Sequence, residues 1–186
     1  MSKPRAFPAS VIAAAALLSA SLPAVAVGEQ LHDWATIHNA QFGFSIAYPV
    51  DVFRPKPNPH DNEGRVLISP KGDAKLLVGA FPNDGEASLA DYRAYILEQN
   101  YAGAQLDYDR MSSKWFVISG VHDGRMFYQR VSFTCGGKLI NTWAMVYPVA
   151  ERRLYDRVVE AVAKTYSPGA GASGECDPAT VVHSER

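Results

Sequence analysis

Two short glycine turns in the second half of the chain constrain its fold more than any other feature. Asp123-Gly124 and Gly136-Gly137 are two-residue sequences of the kind that join antiparallel strands, and β-branched and aromatic residues fill the segments around them. They predict a meander of four strands, at about Gln105–Met111, Trp115–His122, Arg125–Cys135 and Lys138–Tyr147. Any fold for this chain must therefore accommodate an antiparallel sheet.

Two helices are predicted, one on each side of the meander in the sequence. The first, at about 88–99, has Ser88 as its N-cap and an acid, Asp91, three residues later. The second begins beyond Pro148 and runs to about residue 166. Its inner face is predicted from a stripe of residues at helical spacing: Leu154, Val158, Ala161 and Thr165.

Earlier segments supply further strands. These are predicted at about Trp34–His38, Phe44–Tyr48, Arg65–Ser69 and Lys75–Phe81, the last two forming a hairpin. The proline-rich segment 50–64 is predicted to be a loop. Strands, a helix, a meander and a terminal helix in this order predict an α+β fold. Its antiparallel sheet would have about six to seven strands.

This order of elements resembles a known fold family. The strand motif Gly43-Phe-Ser-Ile-Ala-Tyr-Pro49, the first helix, the meander and the terminal helix are together similar to the PsbP-like fold. That fold is an antiparallel sheet sandwiched between helices, and it occurs in a photosystem II extrinsic subunit, a nuclear Ran-binding factor and many exported bacterial proteins. The resemblance covers about residues 40–166. It implies a binding or accessory protein rather than an enzyme, and it carries no functional residue over to this chain.

The amino terminus has the parts of a secretory signal peptide. Lys3 and Arg5 supply positive charge, and Val11–Leu22 is an uncharged apolar stretch. Small residues precede a cleavage site predicted between Ala26 and Val27. The apolar stretch has about 12 residues, against about 20 for a helix that spans a bilayer. We therefore expect an exported chain, periplasmic or secreted, with no stable membrane anchor; an uncleaved anchor or a buried helix is the alternative.

The leader divides the chain into three parts: a signal peptide at 1–26, one α+β domain at 27–166, and a C-terminal tail at 167–186. The whole chain has 18 basic and 19 acidic residues, and two of the basic residues lie in the leader. Its removal changes the net charge from −1 to −3. A weakly acidic domain argues against nucleic acid as a partner.

Both cysteines, Cys135 and Cys176, lie in the exported part, where an even count favours one disulfide. The last strand leads away from Cys135, and the terminal helix returns over about the same length, so the tail should begin near that residue. A bridge would tie down a tail rich in Gly, Ala and Ser. Two free thiols are the alternative. The chain has no C-x-x-C redox motif.

Two-residue turns would also divide the meander into two faces, because alternate residues of a strand share a side. With His122 opposite Arg125, and Cys135 opposite Lys138, one face is apolar and suits a docked helix. It carries Phe116, Ile118, Phe127, Val131, Phe133, Ile140, Ala144 and Val146. The other face carries Trp115, Val117, Ser119, Tyr128, Arg130, Asn141, Trp143, Met145 and Tyr147.

Four residues of the second face form the predicted ligand or partner surface: Tyr128, Arg130, Asn141 and Trp143. Aromatic rings interleaved with a few polar groups are typical of a concave binding site. Arg130 opposite Trp143 predicts a cation–π pair. The alternative is a second helix-covered or half-exposed face, with Arg130 stacked on Trp143 and paired to an acid.

Sequence signatures of catalysis are missing, and no cofactor is predicted. G-x-S-x-G, H-E-x-x-H and phosphate-binding loops do not occur. Asp107 and Asp109 stand at strand spacing and are predicted to face the same, solvent side. His60, Asp61 and Glu63 form the one cluster of metal-competent side chains. They lack the alternating acidic pattern of an EF-hand and are predicted to be polar turn residues rather than a metal site.

These observations predict an exported, non-enzymatic periplasmic binding or accessory protein. Its partner, a small molecule or another protein, is not identified by any motif. An enzyme of unrecognised class acting in the cell envelope, and a structural envelope or stress protein, are the alternatives.

Overall fold

The predicted meander lies within a seven-stranded antiparallel sheet. The computed structural model describes residues 32–57 and 63–176, which belong to one compact unit that begins at His32. Its elements in chain order are β1 (Trp34–His38), β2 (Ser45–Pro49), β3 (Arg54–Pro55), β4 (Gly64–Ile68), β5 (Lys75–Pro82), α1 (Leu89–Asn100), β6 (Gln105–Met111), β7 (Trp115–His122), β8 (Arg125–Thr134), β9 (Leu139–Pro148) and α2 (Arg152–Thr165). β1 pairs with β2, and the large sheet has the order β3-β4-β5-β9-β8-β7-β6. The predicted α+β class is confirmed.

The register of the meander is the predicted one. The turn between β7 and β8 has two residues, with His122 opposite Arg125. The turn between β8 and β9 is longer, because Thr134 is paired with Leu139 and Cys135–Gly137 forms a 3-10 turn. At this turn β8 ends one residue earlier than predicted and β9 begins one residue later, so the pairing and the predicted face of every side chain are kept.

α1 covers one face of the sheet, which we call the α1 face. Ser88 caps the helix as predicted, since its hydroxyl accepts a hydrogen bond from the backbone N–H of Asp91 over 3.1 Å. Ile96, within the helix, and Tyr101, after it, belong to a buried cluster with residues of the meander. These are Phe116, Ile118, Phe127, Val131, Phe133 and Ile140.

The opposite side of the sheet, the α2 face, packs against α2 and β2. Ile46 of β2, Trp143 of β9 and Val162 of α2 belong to one buried cluster. α2 buries Tyr155, Val158, Val159 and Val162. Of the predicted stripe, Val158 is buried as expected, but Leu154 is 41% exposed and its neighbour Tyr155 faces the core instead. A 3-10 turn at Val149–Glu151 precedes the helix.

The tail returns from α2 to the turn between β8 and β9. Ser167 forms an isolated bridge with Ser45, and the backbone N–H of Gly171 donates to the carbonyl of Phe42 over 3.0 Å. A side chain on Gly169 would clash with that same carbonyl, so the close approach of the two backbones requires glycine.

The tail ends its described course at a disulfide between Cys176 and Cys135, whose Cα atoms are 5.1 Å apart. The predicted bridge is confirmed. Such bonds are typical of proteins outside the reducing cytosol. None of the described helices is long and apolar enough to cross a bilayer. The signal peptide, its cleavage site at Ala26–Val27 and the end of the tail lie outside the described residues and stay predictions.

Candidate functional site

The four predicted surface residues differ in how deeply they are buried. Asn141 and Trp143 are fully buried, whereas Tyr128 and Arg130 are half-buried. All four lie on the α2 face, as the register predicts, but α2 and the tail cover part of that face. A ligand in solution therefore reaches Tyr128 and Arg130, while Asn141 and Trp143 lie beneath the protein's own layers.

Asn141 contacts the tail. Its side-chain amide accepts a hydrogen bond from the backbone N–H of Gly169 over 2.8 Å and donates to Thr134 Oγ1 over 2.9 Å. The Thr134 hydroxyl in turn donates to the carbonyl of Gly169 over 2.6 Å. These bonds give Asn141 a structural part in holding the tail.

Trp143 is fully buried and lies against the half-buried Tyr128. Its ring centroid lies 4.7 Å from that of Tyr128 and 6.2 Å from that of Tyr166, the first residue after α2. Tyr128 therefore rests on a buried indole, which fixes the position of its ring.

The accessible part of the α2 face is a groove of about 430 Å³, which we call the α2 groove. Strands β6, β7 and β8 form its floor, and the first turns of α2 form one wall. Its lining residues are Tyr108, Trp115, Val117, Ser119, Met126, Tyr128, Arg130, Tyr147, Arg152, Asp156, Val159 and Glu160. Its volume is in the range of sites that bind small molecules.

Arg130 is the central cation of this groove. Its guanidinium carbon lies 5.2 Å from the centroid of the Trp115 ring and 6.0 Å from that of Tyr166. The cation–π partners are thus these two rings, and not Trp143 as predicted. The alternative of a helix-covered or half-exposed face is confirmed, because α2 packs on this face and Tyr128 and Arg130 are half-buried. The acidic partner that it gave to Arg130 is not found among the ion pairs of the described residues.

Several polar atoms around Arg130 are buried without a hydrogen-bond partner among the described residues. They are Arg130 Nε, Ser132 Oγ, Trp143 Nε1 and Tyr166 Oη. Ser132 follows Arg130 on the same face of β8, and Tyr166 lies against both Arg130 and Trp143. Unpartnered groups of this kind are rare in buried positions, so their concentration here marks the region as unusual.

Asp156 and Arg152, the charged residues at the start of the α2 wall, already have hydrogen-bond or ion-pair partners. Asp156 accepts hydrogen bonds from the Tyr147 hydroxyl over 2.6 Å and from Arg152 Nε over 3.1 Å. Arg152 also lies 3.5 Å from Asp107. The charge of Arg152 is therefore balanced by two acids, while that of Arg130 has no such balance.

Burial keeps the phenols of this region neutral. It raises the pKa of Tyr166 well above its ordinary value, although the nearby Arg130 charge partly opposes the shift. The pKa of Tyr128 is raised by burial in the same way. Burial and the hydrogen bond to Asp156 raise the pKa of Tyr147. At neutral pH these groups offer hydrogen bonds and ring surface, not charge.

A larger cavity of about 950 Å³ lies at the disulfide end of the sheet, between the start of α1 and the turn at Cys135–Gly137. Two of its polar side chains, Asn83 and Ser88, already form hydrogen bonds within the protein. The Asn83 amide donates to the carbonyls of Ala87 and Gly137. Ser88 caps α1. The α2 groove is therefore the stronger candidate site.

The structure assembles no metal site from the described residues, among which no three His, Cys, Asp or Glu side chains cluster. Of the predicted metal-competent loop, Glu63 is exposed, and His60 and Asp61 lie outside the described residues. Asp107 and Asp109 contact opposite sides of the sheet, contrary to prediction. A bulge between Leu106 and Tyr108 shifts the register at this point.

The fold resembles that of solved proteins although sequence identity is low. A scan against protein-family models and a search of curated protein sequences find no match. Among solved structures, the chain is similar to cyanobacterial PsbP (CyanoP) from Synechocystis sp. PCC 6803, with a TM-score of 0.54 and 13% identity over 76% of this chain and 95% of that one. The chain has a PsbP-like fold. It is also similar to the Saccharomyces cerevisiae Ran-binding protein Mog1p, with a TM-score of 0.49 and 6% identity over 74% of this chain and 96% of that one.

Within this PsbP-like fold, sequence patterns predict only part of the groove. The strand period of two puts Trp115 on the correct face, but it does not predict the contact of its ring with Arg130. Tyr166 begins a segment without hydrophobic periodicity, so no pattern places its ring. Arg152 and Asp156 are four residues apart on one helix. That spacing was a usable signal for the wall of the groove.

Proposed function

We propose that the chain is an exported, non-enzymatic binding or accessory protein that holds its ligand or partner in the α2 groove. Arg130 carries the proposal. Its guanidinium lines an accessible groove beside two aromatic rings, and its Nε atom is buried without a hydrogen-bond partner among the described residues. A partly desolvated cation of this kind gains stability from a bound anion.

The chemistry of the groove favours binding over catalysis. Its carboxylate Asp156 already accepts hydrogen bonds from Tyr147 and Arg152. The raised pKa values of Tyr128 and Tyr147 keep their phenols protonated. A general base needs a pKa near the working pH, and the raised pKa values of these two phenols exclude them from that part. The groove also offers aromatic rings and the positive charge of Arg130, which are groups that bind a ligand without reacting with it.

Export is supported by two independent features. The amino terminus has the charge, apolar stretch and small residues of a signal peptide. The Cys135–Cys176 bridge is a bond of the kind that forms and persists in oxidising compartments. Together they favour the periplasm or the extracellular medium as the place where the groove meets its ligand.

A photo-crosslinker in the groove tests this function. Tyr108 lines the groove and is 46% exposed, so p-benzoylphenylalanine is accommodated there; Tyr95 on α1 is 55% exposed and serves as the matched control. Each variant is produced with its own leader, irradiated in intact cells, and recovered from the exported fraction for intact-mass measurement. We expect a defined adduct at position 108 and none at position 95.

The same experiment separates the alternatives. Unmodified protein at both positions would overturn the binding function and favour a structural envelope role. Equal adducts at both positions would show non-specific contact and would also contradict it. Recovery of the chain from the cytoplasmic fraction alone would overturn the export part of the proposal.

A further inference from the structure

We infer that the ligand of the α2 groove is a small molecule with one carboxylate on a flat aromatic or unsaturated body. The carboxylate would bind Arg130, and the flat body would lie against Trp115 and Tyr108. This inference rests on the proposed binding function and adds the chemical class of the ligand.

The charge of the ligand follows from the groups that are already neutralised. Arg152 is balanced by Asp156 and Asp107, and Asp156 is engaged by its hydrogen bonds. Arg130 is left as the one groove cation without an acidic partner in the described part of the chain. A single positive charge matches a single carboxylate, whereas a phosphate dianion needs further cations. The planar guanidinium also fits the two oxygens of a carboxylate.

Glu160 is the opposing charge in the groove lining. It is exposed, so water and salt screen its repulsion of an anion. Arg130 is half-buried, with its Nε atom fully buried, so its attraction acts through a medium of lower dielectric constant. The local balance at Arg130 therefore favours an anion.

The walls define the body of the ligand. Tyr108, Trp115 and Tyr128 supply ring surfaces, and Val117, Met126 and Val159 supply aliphatic surface. A volume of about 430 Å³ accommodates a molecule of small-metabolite size rather than a folded partner. Rings of this kind stack on flat ligands and add affinity beyond area burial.

The sheet itself provides a matched control for Arg130. Arg110 lies opposite Val117, and Val117 lies opposite Arg130, so the two arginines occupy one row across three strands on the α2 face. Arg110 is exposed and does not line the groove. Removing its charge changes the field of the face without removing the proposed carboxylate contact.

The test titrates oxidised protein from the exported fraction with phenylacetate and with its uncharged analogue phenylacetamide. The side-chain N–H signals of arginine Nε and tryptophan Nε1 are followed by proton–nitrogen NMR. We expect phenylacetate to shift the Arg130 and Trp115 signals in a saturable manner. Phenylacetamide should bind at least about tenfold more weakly, because it lacks the charge-assisted hydrogen bonds.

Variants assign the effect to Arg130. Arg130→Gln should weaken phenylacetate binding about 10- to 100-fold, while Arg110→Gln should change it less than about twofold. Arg130→Lys retains the charge without the planar fork and should fall between wild type and Arg130→Gln. If an Arg130 variant fails to fold, the comparison of phenylacetate with phenylacetamide on the wild-type protein still shows whether the groove prefers a carboxylate.

Three outcomes would overturn the inference. Equal binding of phenylacetate and phenylacetamide would make the groove a purely apolar site. Tighter binding of phenyl phosphate than of phenylacetate would assign it to phosphate esters. An absence of saturable shifts at Arg130 and Trp115 would exclude this ligand class. A crosslinked adduct at position 108 alongside any of these results would leave the binding function standing and reject only the carboxylate.

Discussion

Asn141 binds the peptide backbone of Gly169 with both ends of its side-chain amide. Its Oδ1 accepts from the Gly169 N–H over 2.8 Å, and its Nδ2 donates to the Gly169 carbonyl over 3.2 Å. Asn141 is fully buried, so these bonds form away from water. One side chain of the sheet thereby pairs with the tail as a neighbouring strand would.

Replacing this amide should destabilise the protein. In Asn141→Ala the Gly169 N–H loses its hydrogen-bond partner and the Gly169 carbonyl keeps only Thr134 as a side-chain donor, so we expect the free energy of unfolding to fall by about 2–4 kcal/mol. Urea denaturation monitored by tryptophan fluorescence measures the change. Asn100→Ala, at the exposed end of α1, is the control and should change stability by less than about 0.5 kcal/mol. Equal effects of the two substitutions would contradict the role of Asn141.

Gly169 should tolerate no side chain. A Cβ at this position would clash with the Phe42 carbonyl and crowd the Phe44 N–H, both of which are backbone groups. We expect Gly169→Ala to lower the free energy of unfolding by about 1–3 kcal/mol. Gly85→Ala, where a Cβ meets nothing within 4 Å, should be neutral or slightly stabilising. Thermal melts of the two variants make the comparison, and a Gly169→Ala variant as stable as wild type would refute the close approach.

Reduction of the disulfide should lower stability by about 4 kcal/mol, because the bridge spans 41 residues of chain. The expected measurement is a lower urea midpoint in the presence of a reductant. The Cys135→Ser/Cys176→Ser double variant should show the same midpoint with and without reductant. If the urea midpoint of the wild-type protein is the same with and without reductant, the disulfide adds nothing to stability.

Stability should fall in alkaline solution. Burial raises the pKa of Tyr92 and of Tyr101 to about 12, whereas unfolded tyrosine ionises near pH 10. The folded chain therefore binds more protons than the unfolded chain between about pH 10 and 12, and its stability is retained below this range and lost as the pH rises through it. Urea midpoints measured from pH 8 to 12 test this. Tyr101→Phe should flatten the decline, and Tyr95→Phe, at an exposed site, should not.

The meander could be predicted because its signals are local. A two-residue turn after His122 fixes the pairing of β7 with β8, and the period of two then assigns each side chain to a face. The second turn, at Cys135–Gly137, differs in form but preserves the register. The sequence was therefore sufficient to put Tyr128 and Arg130 on one face.

Tertiary geometry decided what the sequence left open. Tyr155 and Leu154 are adjacent, and which of them faces the sheet depends on how the chain leaves β9. The bulge beside Asp107 gives no local signal, yet it directs this acid to Arg152 while Asp109 bonds Arg93 on the other face. The exposure of the site stays open for a related reason: strand periodicity assigns residues to faces but does not say how much of a face a helix and a tail will cover.

The bond between Cys135 and Cys176 makes a covalent ring that contains all of β9 and α2. A protease that cuts the chain once inside this ring leaves both pieces joined. The α2 wall would then remain attached to the strands that form the floor of the groove, after a nick that would release α2 from a linear chain. The bridge therefore preserves the integrity of a nicked molecule as well as the folding stability of an intact one.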